Sequence, residues 1–171
     1  MIHSLLKKID QKVSFQNVKA HCDVPCGVYD PVPTQIAAMT VARMTDTLND
    51  LEAHEKNDHK GERALAYQNT ASRMIQEKER SAELVKHEIR IIWGDFLKPN
   101  HFTEHPQLHE ITHSIMSLAS KCKQNVDVEA SRALVEKVNA FAEAFWKIKG
   151  ISSTKVKYHC KPNLEIVFPQ L

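Results

Sequence analysis

One imidazole and two thiols fall within six positions of the segment His21-Cys22-Asp23-Val24-Pro25-Cys26-Gly27-Val28-Tyr29. Thiolate and imidazole are ligands for transition metals, and their crowding implies one ion held by one loop. The segment is too short and too rich in Pro and Gly to be a helix or strand. If the working chain begins at His21, its free α-amine joins the backbone nitrogen of Cys22 and the sulfurs of Cys22 and Cys26. Two nitrogens and two sulfurs from one hook can then lie in a plane around the metal, with the His21 ring in reach of an axial position. Square-planar nitrogen and sulfur donors point to Ni(II) or Cu(II) rather than to tetrahedral Zn. The competing reading of the two cysteines is a disulfide.

That chemistry needs His21 at the N-terminus, and residues 1–20 read as a leader. Val18-Lys19-Ala20 has the small-x-small form of a secretory cleavage site. A signal peptide, however, needs an apolar run of about 7–15 residues, and Lys7, Lys8, Asp10 and Lys12 break every run here. Secretory export is therefore not expected, and the protein is expected in the cytoplasm. An ordinary N-terminal arm would leave the His21 nitrogen an amide and spoil the site. Removing residues 1–20 turns the formal net charge from +2 to −1, because Lys7, Lys8, Lys12 and Lys19 leave with Asp10 alone. No basic surface for nucleic acid is implied. Nor does any run approach the roughly 18 apolar residues that would span a membrane.

With Asp30 and Pro31 added, the segment resembles the nickel hook of the nickel superoxide dismutase family. Two further stretches carry the resemblance: Ile92-Trp93-Gly94-Asp95-Phe96-Leu97-Lys98-Pro99-Asn100-His101, and the pair Phe145-Trp146 followed by Lys147 and Lys149. The likeness runs from about residue 21 to about 150. It implies dismutation of superoxide to dioxygen and hydrogen peroxide by one-electron cycling of one nickel ion per subunit. It also implies a short leader removed by a dedicated peptidase, and a homohexamer that shields the hooks. Its ligands would be His21, through amine and ring, Cys22, through nitrogen and sulfur, and Cys26. Pro25, held in cis by the family, would restrict the turn between the sulfurs, and amides around Cys26 and Val28 would protect them. Asp23 would order the hook. Tyr29 would stand over the vacant face and limit access, and Lys98 would steer the anionic substrate. Local readings compete: Tyr29 as an aromatic anchor, Lys98 as a helix-end charge. The chain departs from the family at Ala37 and Ser81, where some members place a glutamate and an arginine that hold the axial imidazole, and at Phe96, where they have a second tyrosine. These changes remove no ligand but bear on how His21 is oriented.

The elements that must position this chemistry read as an all-α fold, an up-and-down four-helix bundle preceded by the N-terminal metal-binding hook. The domain scheme is a leader at 1–20, hook at 21–33, bundle at 34–150 and tail at 151–171. A length of 171 residues with 42% hydrophobic content suits a single core. Ala37, Val41, Met44, Leu48 and Leu51 lay one apolar stripe on a helix of about 34–58, and Gly61 marks its break. Ala82, Val85, Ile89, Ile92 and Phe96 define a longer helix that stops before Pro99. Leu108, Ile111, Ile115 and Leu118 define a third, with Pro106 suited to its first turn. The fourth carries Leu134, Val138, Phe141, Phe145 and Ile148, with Asp127 as its cap and Gly150 as its end. In 151–171 strand-like residues (Val156, Tyr158, Ile166, Val167, Phe168) are interrupted by Pro162 and Pro169. That pattern suits an extended tail on a neighbouring subunit or a mobile end.

His101, His105, His109 and His113 recur every four residues, but Pro106 interrupts the helix that would align them, so scattered surface histidines are the expectation. Glu110 and His113 match half of a di-iron bundle motif whose partners are missing. Cys122 reads as a small core residue and Cys160 as a tail thiol. Two functions from other classes compete: a nickel or copper carrier using the same hook without turnover, and a helical scaffold whose N-terminal cysteines are redox-active without metal.

Overall fold

The computed structural model describes residues 27–54 and 62–171. Its elements are α1 (Val32–His54), α2 (Glu62–Ile91), a π-helical turn (Ile92–Phe96), α3 (Pro99–Glu104), α4 (Leu108–Gln124), α5 (Val128–Ile148), β1 (Ser153–Lys157) and β2 (Glu165–Pro169). The four long helices close a ring in which α1 packs on α2, α2 on α4, α4 on α5 and α5 back on α1. This is the expected bundle. The two ends of the 55–61 connection and the hook residues 21–26 lie outside the described residues, as do the leader and Gly61.

The apolar stripes explain the packing. Ala37, Val41 and Leu48 on α1 are buried, as are Ala82, Val85 and Ile89 on α2, Leu108 and Ile115 on α4, and Leu134, Val138, Phe141 and Phe145 on α5. Burying a large apolar side chain contributes about 1.5–3 kcal/mol, so these stripes dominate the stability of the bundle. Helix ends are held by local chemistry. Asp30 Oδ1 accepts from the Val32 amide at 2.8 Å at the start of α1, and Asp127 Oδ1 accepts from the Ala130 amide at 2.8 Å at the start of α5. Gly150 takes φ +73° beyond α5, a left-handed conformation that glycine adopts freely. Pro106 stands in the turn before α4 rather than within its first turn, because the helix begins at Leu108.

A buried cation ties two helices together. Lys78 on α2 is 2% exposed, and its ammonium donates to the carbonyls of Cys122, Lys123 (3.2 Å) and Asn125 (2.9 Å). These oxygens belong to the C-terminal end of α4, where unpaired carbonyls favour a positive charge. Burial pushes the Lys78 pKa down, with Cys122 and Glu79 opposing.

The C-terminal residues are not an unpacked end but fold onto the chain's own bundle. β1 and β2 form an antiparallel hairpin in which Lys155 faces Val167 and Val156 faces Ile166. Ile166 and Val167 are both buried against the chain's own bundle. The two prolines do not interrupt pairing, since Pro162 lies in the turn between the strands and Pro169 is the last residue of β2.

Candidate metal centre

The site must be approached from its root, because His21, Cys22, Asp23 and Cys26 lie outside the described residues. Gly27 takes φ +71°, which lets the chain turn where a Cβ would be strained. Val28 follows and is 79% exposed. Tyr29 is half-buried, and Asp30 then caps α1. The chain is thus fastened to the bundle three and four residues beyond Cys26, by one aromatic ring and one helix cap.

The seat of Tyr29 is built at the opposite end of α2. There Leu97 N–H bonds to the Ile92 carbonyl at 3.1 Å, an i to i+5 closure that makes a π-helical turn of Ile-Trp-Gly-Asp-Phe. Such single turns interrupt an α-helix and re-aim the side chains they carry. Phe96 comes out of the turn half-buried with its ring centroid 5.6 Å from Tyr29 and 4.8 Å from Phe145. Phe145 in turn meets Trp146 edge-on at 5.0 Å. Phe96 therefore serves as an apolar seat. Tyr29, Asp30 and Pro33 also wall a cleft of about 340 Å³ with Glu88 and Ile91 from α2 and Ile92 from the π-helical turn.

Two lysines flank this seat. Lys98, exposed and two residues beyond Phe96, donates through Nζ to the Asp95 carbonyl at 2.8 Å, while its backbone N–H donates to His101 Nδ1 at 3.1 Å. Lys149, at the end of α5, was not singled out for a role by its sequence context. Its ammonium lies 5.9 Å from the Phe96 centroid, 5.2 Å from Phe145 and 5.9 Å from Trp146. Aromatic faces attract a cation without cancelling its charge. The only sequence signal for it was the Phe145-Trp146 pair four turns along the α5 stripe.

The departures from the family pattern are placed as follows. Ala37 is buried, and buried Ser81 donates to Glu77 Oε1 at 3.1 Å. Arg80 is exposed and pairs with Glu77 at 3.6 Å. Of the histidine series, His113 is exposed as expected, His109 Nδ1 accepts from Trp93 Nε1 at 3.2 Å and stacks on Phe102 at 4.1 Å, and His105 is largely buried. Among the described residues no group of three or more His, Cys, Asp or Glu converges as a metal site. Cys122 and Cys160 are both free, one buried and one exposed. The side-chain donors that the sequence offers are those of His21, Cys22 and Cys26, and one imidazole and two thiols suit a nickel ion.

With this geometry in place, comparisons with known proteins carry information. The model of nickel-containing superoxide dismutase matches residues 16–149. The chain is 31% identical over 132 residues to the Superoxide dismutase [Ni] of Streptomyces coelicolor, covering 77% of this chain and 90% of that protein. It is 32% identical to the protein of the same name from Streptomyces seoulensis, with the same coverage. Among solved structures, it resembles a nickel superoxide dismutase in its native form (TM-score 0.61, 30% identity, 75% of this chain and 99% of that one). A second, with nickel ligation corresponding to the oxidised state, gives TM-score 0.63 at 30% identity over 76% of this chain and 99% of that one.

Proposed function

The chain belongs to the nickel-containing superoxide dismutase family, and from that premise we propose that it dismutates superoxide with a hook-bound nickel ion once residues 1–20 have been removed. The family gives the coarse statement: this is an oxidoreductase, its cofactor is nickel and its substrate is superoxide. The observation that carries the finer reading is the donor spacing of His21-Cys22 and Cys26 at a position where removal of the leader would free an amine.

The nickel, when bound, supplies a centre that gains and loses one electron. The chain's residues supply the rest. The Cys22 and Cys26 thiolates, the Cys22 nitrogen and the His21 amine would hold the ion, and the His21 ring would complete the set. Anionic sulfur and nitrogen donors favour the higher oxidation state, which aqueous nickel reaches only with difficulty. Tyr29, braced by Phe96, covers the approach and limits what can enter. Asp23 would order the hook. Lys98 and Lys149 provide a positive field on the side from which an anion arrives, which raises its encounter rate.

The reading extends to a leader-processing peptidase, a cytoplasmic location and a homohexamer. The leader's lack of an apolar run supports the second. For the third, Leu65, Ile75 and Leu84 on α2 are exposed apolar side chains suited to subunit contact. Two preparations test the maturation step: nickel-loaded protein beginning at His21 and the same protein beginning at Ala20. Superoxide consumption by the first alone is expected. Equal rates would overturn the requirement for a free His21 amine.

A further inference from the structure

The family match ends at residue 149, and the β-hairpin begins four residues later. The hairpin is seated in a built receptor. Residues 165 and 167 of β2 turn their carbonyls away from β1, and each is met by a buried amide side chain. Asn139 Nδ2 on α5 donates to the Glu165 carbonyl at 2.8 Å, and Gln35 Nε2 on α1 donates to the Val167 carbonyl at 3.1 Å. Gln35 Nε2 also lies 3.3 Å from Asn139 Oδ1, so the two amides join α1 and α5 beneath the strand. Both side chains are 1% exposed. A buried amide donor without an acceptor is costly, and the hairpin supplies a carbonyl to each of these two, while Gln35 Oε1 has no hydrogen-bond partner among the described residues. Lys155 adds ion pairs from β1 to Glu143 (3.4 Å) and Glu136 (4.0 Å) on α5.

The position of Gln35 gives this arrangement a consequence for the site. It lies in the first turn of α1, its N–H bonded to the Pro31 carbonyl at 3.1 Å, directly after the Tyr29-Asp30-Pro31 root of the hook. We propose that the C-terminal hairpin is an intramolecular clamp on the hook's root, with Gln35 as the positioning residue that transmits it. The hairpin holds the first turn of α1 against α5, and the first turn holds Tyr29 over the Phe96 seat. The effect on nickel rests on the function proposed above; the clamp on α1 does not.

The test uses mature full-length protein, a Gln35→Met variant that keeps length but removes both donors, and a chain ending at Gly150. Hydrogen exchange is read at the amides of residues 35–38 and, as an internal reference, in α4; nickel release is read by transfer to a chelator. A local hydrogen bond of ordinary strength corresponds to about a fivefold change in opening. Exchange at 35–38 is expected to rise by about that factor or more in both variants, with α4 unchanged and nickel release accelerated in step. Unchanged exchange at 35–38 in Gln35→Met protein overturns the clamp. Faster exchange with unaltered nickel release overturns its role at the site. If the shortened chain does not fold, Gln35→Met decides alone. Wild-type protein that takes up no nickel would sink the proposed function, while the exchange arm would still decide whether the hairpin holds α1.

Discussion

Charge reversal at Lys149 isolates the electrostatic part of the mechanism from its metal chemistry. The ammonium lies 5.9 Å from the Phe96 centroid, and Phe96 lies 5.6 Å from Tyr29. The charge is therefore within about 12 Å of the Tyr29 ring, which is proposed to cover the approach, and at that distance a unit anion gains about 0.35 kcal/mol in water. Among the described residues no ion pair engages Lys149. Lys149→Glu changes the charge by two units, which amounts to about 0.7 kcal/mol, or about a threefold fall in the second-order rate at low salt. At 0.15 M ionic strength, with a screening length of about 8 Å, the same substitution should cost only about 1.3-fold. Pulse radiolysis of matched, nickel-replete preparations over a salt series measures both limits. Lys149→Met, which keeps the stem over the rings, should fall halfway between on a logarithmic scale. A Lys149→Glu rate equal to wild type at low salt would refute the steering argument. A loss that persists undiminished at high salt would refute it too, because it would place the effect in packing or in the α5 terminus.

Other perturbations separate ligand, seat and core. Cys22→Ser or Cys26→Ser should abolish nickel retention, read by elemental analysis, while far-ultraviolet circular dichroism stays that of the bundle; nickel held at wild-type level would remove that cysteine from the ligand set. Phe145→Ala removes a buried ring that also braces Phe96, and should cost about 3–5 kcal/mol in chemical denaturation; a loss below about 1 kcal/mol would show that the seat repacks freely. Burial raises the Cys122 thiol from 9.0 to about 11, with the Lys78 charge opposing. Between those values the unfolded chain releases a proton that the folded chain keeps, so stability falls as pH rises from about 9 to about 11. The lowered pKa of Lys78 acts in the opposite sense below its ordinary value of 10.5. Cys122→Ala should therefore flatten the alkaline fall in a denaturation series, and an unchanged slope would show that Cys122 does not carry it.

The helices were legible because one periodicity governs them. Val41, Val85, Ile115 and Val138 each lie on the apolar stripe of a different helix, and all are essentially inaccessible to solvent. Asp127 and Gly150 announced the ends of α5 because capping is local chemistry. The hook is proposed on a different kind of signal, since metal geometry fixes donor spacing along the chain, and its residues 21–26 lie outside the described ones. Features set by distant parts of the chain were not. Nothing in the alternation of 153–169 states that Gln35 and Asn139 will complete the edge of β2, so the hairpin read as an unassigned tail. Lys78 stands between Glu77 and Glu79 on a polar stretch of α2, and only the end of α4 explains its burial. The π-helical turn at 92–96 carries no periodic signature over five residues, yet it is what places Phe96 beneath Tyr29. Lys149 gained its place from three rings that are brought together by the meeting of α5 with that turn.

The central claim is that a leader is removed to free the His21 amine and that each chain then holds one nickel through residues 21–26. Native mass spectrometry of protein purified from its nickel-replete native host tests this most directly. The account predicts an assembly, a hexamer, whose subunits begin at His21 and carry one nickel each. Full-length, metal-free subunits from that host would contradict it.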